Sequence, residues 1–349
     1  MKRNENRMLL STTAAAEVQK VQSAAVAQLL GDEQRRANVM GVGTGVKWKN
    51  GVPTGEQALI VLVTHKAAPE SLAPGDLVPA KIQDMQTDVL AIGYPFAGGN
   101  RPQDATTQTL THHVRPAQGG YSVGHINITA GTIATCVYDM LPGASTNPPT
   151  HGVGIPGTYY ILSNNHVLAN SNAGLPNDPI LQPGPFDGGV DPVDRIATLS
   201  RFIPITFEPP VPRALHKNLV DCAVAAGQFH DLNREIYWIG HVRGWRPKAN
   251  VTVGTVVQKT GRTTSYTTGR ITVVNATVDV GYGGGRVARF VDQIITTNMS
   301  AGGDSGSLVT TLDDVAVGLL FAGSSVAMIA NQIENVRSLL RVEVAEEIL

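Results

Sequence analysis

The chain has 349 residues with 27 basic and 28 acidic side chains, so its formal net charge is −1 and gives no electrostatic reason to bind nucleic acid or a membrane surface. No apolar run approaches the ~18 residues that a membrane-spanning helix needs. The 37 glycines and the low aromatic content of 5% are typical of many short strands joined by tight turns. The length suffices for one large domain or two.

The first residues predict a helical arm over residues 1–37. Between residues 12 and 36, apolar side chains recur at helical spacing, at Val18, Val21, Ala25 and Leu29. This stripe either packs on the chain's own globular part or contacts a second copy, which would make the protein a homo-oligomer. The apolar run Met8–Leu10 is shorter than the core of a secretory signal. We therefore expect a cytoplasmic protein, with export by an unrecognised route as the alternative.

Residues 38–94 predict a small α/β unit of their own. An Asn50-Gly51 pair suits a hairpin turn within it. Three β-favouring runs are expected to form strands, at Val39–Gly43, Ala58–Val63 and Thr87–Ile92. Residues 95–118 are rich in Gly, Pro, Thr and Gln, and this composition predicts a linker.

The chain shows no motif for a cofactor or a metal. Gly41 and Gly43 lack the Gly-Lys-Ser/Thr sequence and the strand–turn–helix context of a phosphate-binding loop. His112 and His113 have no further histidine, cysteine or carboxylate ligands at a recognisable spacing. We therefore expect no cofactor and no metal.

Residues 119–349 predict mainly strands joined by loops rich in Gly and Pro. They end in a predicted helix over residues 326–342, where apolar side chains recur on one face. The two cysteines of the chain, Cys136 and Cys222, both lie in apolar runs. They either pack as small hydrophobic side chains or form a bridge with each other.

Three residues of this region suit a nucleophilic site. Ser305 lies in Gly303–Ser307, a glycine-rich loop that can expose one hydroxyl and several backbone N–H groups. Because a serine hydroxyl is a weak nucleophile, it needs a neighbouring base. His166 follows a β-favouring run and can act as that base. Asp221 lies inside an apolar run, where a carboxylate needs a hydrogen-bond donor such as an imidazole N–H.

In this order and context the three residues resemble those of the chymotrypsin-like serine proteases. More narrowly, residues 119–340 resemble the bacterial trypsin-like peptidases related to the plant narrow-leaf proteins. The motifs that carry the resemblance are the Ser305 loop, Ala130-Gly131-Thr132, Leu162–Leu168, Gln182-Pro183-Gly184, Asp187-Gly188-Gly189 and Gly261–Thr264. The resemblance implies a mostly β fold with two barrels, at residues 119–230 and 235–325, closed by the C-terminal helix.

The resemblance also implies a role for each residue. Ser305 would attack the scissile carbonyl, His166 would act as base and then as acid, and Asp221 would fix the imidazole tautomer. The backbone N–H groups of Gly303 and Ser305 would form the oxyanion hole. The implied function is that of a serine endopeptidase acting on protein or peptide substrates. A catalytically weak binding or scaffold protein, and a protease acting mainly on itself, are the alternatives.

The substrate side follows from the same resemblance. Met299, six residues before Ser305, corresponds to the base of the primary specificity pocket, so we expect an apolar or small residue there rather than Lys or Arg. Phe321, Ala322 and Gly323 correspond to the edge that pairs with an extended substrate. Many relatives carry a serine where Phe321 stands, so the hydroxyl that supports the catalytic carboxylate is expected to be missing.

Activation is expected to differ from that of the digestive relatives. The chain has no basic residue followed by Ile-Val-Gly-Gly, so no newly cut N-terminus is expected to reach Asp304. The physiological substrate, the assembly size and the activating signal are not specified by any motif.

Overall fold

The computed structural model describes residues 7–31, 36, 38–98, 109–128, 130–140 and 158–344. The described chain is mostly β, and its strands form two large barrel-like sheets. The mostly β double-barrel fold with a helix at each end is therefore confirmed. In the described part of the chain, no helix is both long and apolar enough to cross a bilayer.

The elements fall into three groups along the chain. The N-terminal group contains α1 (Thr12–Leu30), β1 (Val39–Lys49), β2 (Val52–Val63), β3 (Lys81–Ile82), β4 (Met85–Ala91) and β5 (Phe96–Ala97). The middle group contains β6 (Ala117–Gly119), β7 (Ser122–His125), β8 (Gly131–Thr132), β9 (Cys136–Asp139), β10 (Tyr159–Ser163), α2 (Asn165–Leu168), β11 (Pro179–Leu181), β12 (Arg195–Phe202), β13 (Ala223–Gly227) and β14 (Leu232–Ile236). The last group contains β15 (Gly244–Trp245), β16 (Val256–Gly261), β17 (Ser265–Gly281), β18 (Val287–Thr297), β19 (Leu308–Thr311), β20 (Val315–Gly323), β21 (Ala327–Gln332), α3 (Ile333–Leu340) and β22 (Val342–Glu343).

The first barrel is the sheet with the order β22-β9-β10-β13-β12-β11-β7-β8. The second barrel has the order β16-β19-β20-β21-β18-β17, and it closes because β17 also pairs with β16. A core cluster joins the two barrels and α3, with Leu162, Val224, Leu308, Leu319 and Val336 among its buried members. The two barrels therefore share buried apolar surface rather than touching only at their rims.

The N-terminal strands belong to the sheet of the second barrel. The hairpin of β1 and β2 turns at Asn50 and Gly51, which both have positive φ (52° and 75°), as the turn prediction requires. β1 then pairs antiparallel with β17, for example Gly41 with Val278. A side chain at Gly43 would overlap Val273, so a glycine is needed where the two strands approach closely. The pairing makes residues 38–91 an extension of this sheet, which the sequence did not reveal.

The N-terminal helix α1 packs on the face of that extension. Ser11 caps the helix by accepting a hydrogen bond from the N–H of Ala14 (3.2 Å). The buried side chains Val18, Ala25, Leu29 and Leu30 share a core cluster with residues of β1 and β2. The apolar stripe of the helix therefore packs against the chain's own strands, as in the first of the two interpretations given for it above.

The C-terminal helix is shorter than predicted, because the first part of the predicted helix over 326–342 is a strand. Ala327–Gln332 forms β21 between β18 and β20, and the helix runs only from Ile333 to Leu340. The residues of β21 are buried on both faces. A short run that is buried on both faces lacks the alternation that marks a half-buried strand, which explains the error.

The predicted linker over residues 95–118 contains strands at both ends. Phe96–Ala97 forms β5, and Ala117–Gly119 forms β6, which pairs with β14. Residues 99–108 of the predicted linker lie outside the described residues.

Candidate active site

His166 and Asp221 are brought together by neighbouring strands of the first barrel. Ser163 at the end of β10 pairs with Ala223 at the start of β13, so the residues just beyond these positions lie side by side. The Nδ1–H of His166 donates to Oδ2 of Asp221 (2.6 Å), and the backbone N–H of His166 donates to Oδ1 (3.1 Å). Asp221 is fully buried, so these donors stabilise a carboxylate that has no contact with solvent.

A tyrosine hydroxyl also supports Asp221. Tyr282, just after β17, donates its hydroxyl to Oδ2 of Asp221 (2.7 Å). Burial and then the Asp221 charge raise the pKa of Tyr282 well above its ordinary value, so the hydroxyl stays protonated and remains a donor. Phe321 supplies no hydroxyl, as expected, but Tyr282 replaces it. No local sequence pattern indicates this role, because Tyr282 lies 61 residues from Asp221.

The loop of Ser305 belongs to the second barrel but sits against the first. Thr132 binds this loop twice: its N–H donates to the carbonyl of Ser305 (2.8 Å) and its hydroxyl donates to the carbonyl of Gly303 (2.9 Å). A side chain at Gly306 would overlap Ser163, three residues before His166. The loop therefore contacts the end of the strand that leads to His166.

The hydroxyl of Ser305 is not hydrogen-bonded to His166 in this structure. It donates instead to the carbonyl of Phe321, at the long distance of 3.5 Å. Nε2 of His166 is buried and has no hydrogen-bond partner among the described residues. The structure thus forms the pair of His166 and Asp221, and it leaves the nitrogen that would face the serine unpaired.

Two backbone N–H groups of the Ser305 loop are also unpaired. Within the described residues, the N–H groups of Gly303 and Ser305 have no acceptor, whereas the intervening N–H of Asp304 donates to the carbonyl of Ala301 (3.0 Å). Gly303 adopts a φ of 98°, which glycine tolerates without strain. The arrangement leaves two N–H donors on either side of residue 304 to bind an oxyanion.

Asp304 anchors this loop to the turn between β16 and β17. Its carboxylate accepts from the N–H groups of Thr263 (2.9 Å), Thr264 (3.1 Å) and Ala301 (3.0 Å) and from Nζ of Lys259 (3.2 Å). Lys259 and Asp304 are both fully buried. Burial lowers the pKa of Lys259, while the charge of Asp304 opposes that shift. An internal lysine thus occupies the position opposite Asp304.

The remaining motifs converge on the same turn. Arg262 binds both carboxylate oxygens of Asp187, with Nε 2.9 Å from Oδ2, and its guanidinium lies over the ring of Phe186 (5.5 Å). This pair ties the long loop after His166 to the turn that holds Asp304. Arg262 therefore serves a structural network of ion pairs and ring contacts.

The predicted substrate residues lie around the same loop. Met299 is buried in the core of the second barrel, and its sulfur lies close to Gly269. Phe321, Ala322 and Gly323 form the end of β20, and the ring of Phe321 packs on Phe290 with centroids 4.6 Å apart. Of these residues, Phe321 contacts Ser305 through its backbone carbonyl, which accepts from the serine hydroxyl (3.5 Å), rather than through its ring.

The adjacent histidines His112 and His113 and the two cysteines have ordinary surroundings. Nδ1 of His113 lies 2.9 Å from Asp194, and the ring of His112 packs edge-on against Tyr121. Cys136 and Cys222 are both buried free thiols, so the interpretation as small hydrophobic side chains holds.

No family model and no curated protein matches the chain. Among solved structures it is similar to Protease A of Thermobifida fusca, at 15% identity over 66% of this chain and 98% of that chain, with a TM-score of 0.44. It is also similar to a chymotrypsin of Cellulomonas bogoriensis, at 15% identity over 66% and 98% of the two chains, with a TM-score of 0.41. A third similar structure is a glutamic acid-specific serine protease that uses a histidine triad in substrate binding, at 19% identity over 65% and 99%, with a TM-score of 0.43.

Proposed function

We propose that the protein is a serine endopeptidase that hydrolyses peptide bonds through His166, Asp221 and Ser305. The observation that carries the proposal is the buried pair of His166 and Asp221 (2.6 Å) next to a serine loop with two unpaired N–H groups. An imidazole oriented by a carboxylate and a loop that can bind an oxyanion are the parts that acyl transfer requires. On its motifs, we place the chain with the bacterial trypsin-like peptidases related to the plant narrow-leaf proteins.

The reaction begins with a rotation of the Ser305 side chain from the carbonyl of Phe321 towards His166. Nε2 then accepts the hydroxyl proton while Oγ forms a bond with the substrate carbonyl carbon. The N–H groups of Gly303 and Ser305 bind the oxyanion. His166 returns the proton to the leaving amine as the peptide bond breaks, which leaves an acyl ester on Ser305. Water, deprotonated by His166, then hydrolyses the ester and restores the hydroxyl.

The buried pair of Lys259 and Asp304 supports activity without a cleavage step. In the digestive relatives, a newly cut N-terminus binds the acidic residue before the serine. Here Lys259 already lies 3.2 Å from Asp304, in a site that is closed to solvent. We infer that the oxyanion loop is ordered as soon as the chain folds.

For the primary specificity pocket we propose an apolar or small side chain. Met299 places a thioether rather than a carboxylate at the expected base of the pocket, and it is 5% exposed. A cationic substrate side chain would therefore meet no opposite charge. Mass-spectrometric profiling of cleavage in a peptide library tests this, and a preference for Lys or Arg before the cut would contradict it.

A fluorophosphonate probe tests the proposed chemistry. We expect one covalent adduct on Ser305, found by peptide mass spectrometry, because the probe requires a hydroxyl activated by a base. Ser305→Ala should abolish the adduct, and Ser71→Ala, at an exposed serine, should leave it unchanged. Absence of an adduct on Ser305 would instead favour a binding protein with this fold. The observation that favours this second candidate is that Ser305 is not hydrogen-bonded to Nε2 of His166.

A further inference from the structure

One edge of β20, next to Ser305, forms backbone hydrogen bonds with two consecutive segments of the chain. The first segment is the Ser305 loop. The N–H of Leu320 donates to the carbonyl of Ser307 (3.0 Å), and the N–H of Gly306 donates to the carbonyl of Leu320 (2.8 Å). One residue further, the carbonyl of Phe321 accepts from the Ser305 hydroxyl (3.5 Å). The edge beyond this point is where an extended peptide bound next to Ser305 would pair.

The second segment that pairs with this edge is the strand β5. β5 pairs antiparallel with the edge, Ala97 opposite Ala322 and Phe96 opposite Gly323. It begins to pair one residue beyond the carbonyl that accepts from Ser305. The chain has thus added a strand at the position and in the direction that a peptide substrate would take.

Contacts on its other side hold β5 in place. The N–H of Gly281 donates to the carbonyl of Pro95 (3.1 Å), and Phe96 pairs with Gly281 at the end of β17. Ala97 is 7% exposed and belongs to the same core cluster as Tyr282 and Phe321. The strand is therefore inserted between β17 and β20 rather than lying loosely on the surface.

Burial around the site agrees with an occupied edge. Ser305 is 3% exposed and Ala322 is 2% exposed. A peptide that pairs with Ala322 and Gly323 would have to displace β5, because each backbone edge can form one ladder of hydrogen bonds.

On the basis of the proposed function, we propose that β5 is an internal ligand of the substrate-binding edge. A peptide binds there only when β5 has left, and the residues of β5 indicate the class of peptide that fits. This class is an extended segment with an aromatic residue opposite Gly323 followed by a small residue opposite Ala322.

The residues around β5 explain why an aromatic residue followed by a small residue fits this edge. A side chain at Gly281 would come within 3.2 Å of the ring of Phe96, and one at Gly283 would come within 3.6 Å. These two glycines leave a flat surface on which an aromatic ring can lie. The position of Ala97 is enclosed by the apolar cluster, so a large or charged side chain does not fit there.

Binding of a peptide in a catalytically dead background tests the proposal. The probe is a fluorescent peptide with the sequence of residues 92–97, Ile-Gly-Tyr-Pro-Phe-Ala, and the readout is fluorescence anisotropy. Ser305→Ala alone should bind it weakly, because β5 occupies the edge. Adding Ala97→Asp puts a carboxylate into the apolar site and should expel β5, and we expect binding to tighten at least tenfold. Adding Tyr94→Asp instead, at a side chain that is 73% exposed, should change nothing.

A disulfide lock tests the same point without placing a charge in the core cluster that contains Ala97 and Ala322. Opposed residues in an antiparallel pair have Cα atoms about 4.5–5.5 Å apart, within the range that a disulfide spans. Ala97→Cys with Ala322→Cys, again with Ser305→Ala, should bind the peptide about as weakly as Ser305→Ala alone when reduced, and at least tenfold more weakly still when oxidised. Equal binding in both forms would show that β5 does not cover the site. The native thiols are buried and do not compete.

The two proposals can fail separately. No gain in peptide binding for the folded Ala97→Asp variant, or equal binding by the reduced and oxidised lock, overturns the role of β5 whatever the catalytic activity. No fluorophosphonate adduct on either wild type or Ala97→Asp overturns the proposed protease, while the peptide measurements still decide whether β5 occupies a binding edge.

Discussion

At the scale of single residues, the surroundings of Asp221 set the chemistry of the candidate site. Oδ2 accepts from His166 (2.6 Å) and from the hydroxyl of Tyr282 (2.7 Å). Its backbone is held as well, since its N–H donates to Asn331 (3.0 Å) and its carbonyl accepts from Asn164 (2.8 Å). In the proposed mechanism, Tyr282 shares part of the carboxylate charge that otherwise acts on the imidazole, so we expect it to position Asp221 and to tune His166 as the base.

Tyr282→Phe tests that role while keeping the ring. With one donor fewer, Asp221 stabilises the protonated imidazole more strongly, so the acid limb of the kcat/KM profile should move to higher pH. A net hydrogen bond to a charged group is worth about 1.5–3 kcal/mol, and 1.36 kcal/mol corresponds to one pH unit, so we expect a shift of up to about one to two units.

Tyr266→Phe is the matched control, because the hydroxyl of Tyr266 donates to Gln258 (2.7 Å), outside the candidate site. Its profile should coincide with that of the wild type. If Tyr282→Phe lowers the rate equally at every pH, the hydroxyl has only a structural role and the interpretation is wrong.

At the scale of elements, the Ser305 loop connects the two barrels, because it belongs to the second barrel and packs against the first. Gly306 has a φ of 97° and lies so close to Ser163 and the carbonyl of Thr132 that no side chain fits. This glycine determines how closely the serine loop approaches the strand that leads to His166.

Gly306→Ala should therefore separate the loop from the first barrel. We expect a loss of more than about 100-fold in kcat/KM, because small misplacements of catalytic groups have effects of that size. A free energy of unfolding lower by at least ~1–3 kcal/mol should accompany it, from the positive φ alone. Urea unfolding and peptide hydrolysis measure the two effects.

Gly284→Ala provides the comparison. Gly284 also has a positive φ (59°), but a side chain there would meet nothing within 4 Å. It should lose about 1–2 kcal/mol of stability because of its positive φ and keep its activity. If the two variants behaved alike, the contact with Ser163 would not matter for the site.

The sequence predicted what depends on local patterns and motifs. The turn at Asn50-Gly51 and the strands around His166 and Ser305 follow from short-range chemistry, and the structure contains them. The pairing of β1 with β17, the strand β5 and the support of Tyr282 depend on contacts between residues far apart in the chain. No local pattern encodes such contacts, and β21 was missed because a doubly buried strand has no alternation.

At the scale of the whole molecule, both thiols lie inside cores. Cys136 is in the core of the first barrel, and Cys222 is in the cluster that joins the barrels. Burial raises the pKa of Cys136 to about 12. Burial and the Asp221 charge also raise the pKa of Cys222 well above its ordinary value. The thiolates that react with most reagents are therefore absent from the folded protein at neutral pH.

We expect a thiol-specific reagent at pH 8 to label neither cysteine in the native protein and both in guanidinium. The folded pKa of Cys136 lies above the unfolded value of about 8.5, so its contribution to stability is complete below pH 8.5. It is lost as the pH rises towards 12. Urea unfolding from pH 8 to 10 should show a steeper decline for wild type than for Cys136→Ala. Rapid labelling of the native protein would contradict the burial.

The pairing of β1 with β17 has a consequence for synthesis on the ribosome. Gly41 and its partner Val278 are separated by 278 − 41 = 237 residues. At a synthesis rate of roughly 5–20 residues per second, the outer edge of β1 remains unpaired for on the order of 10 to 50 s before β17 is made. During that time a nascent hairpin rich in valine, leucine and isoleucine presents an open backbone edge, a known hazard for aggregation. Slower translation or a cooler culture lengthens this wait, so a chaperone that shields the hairpin should raise the yield of folded protein.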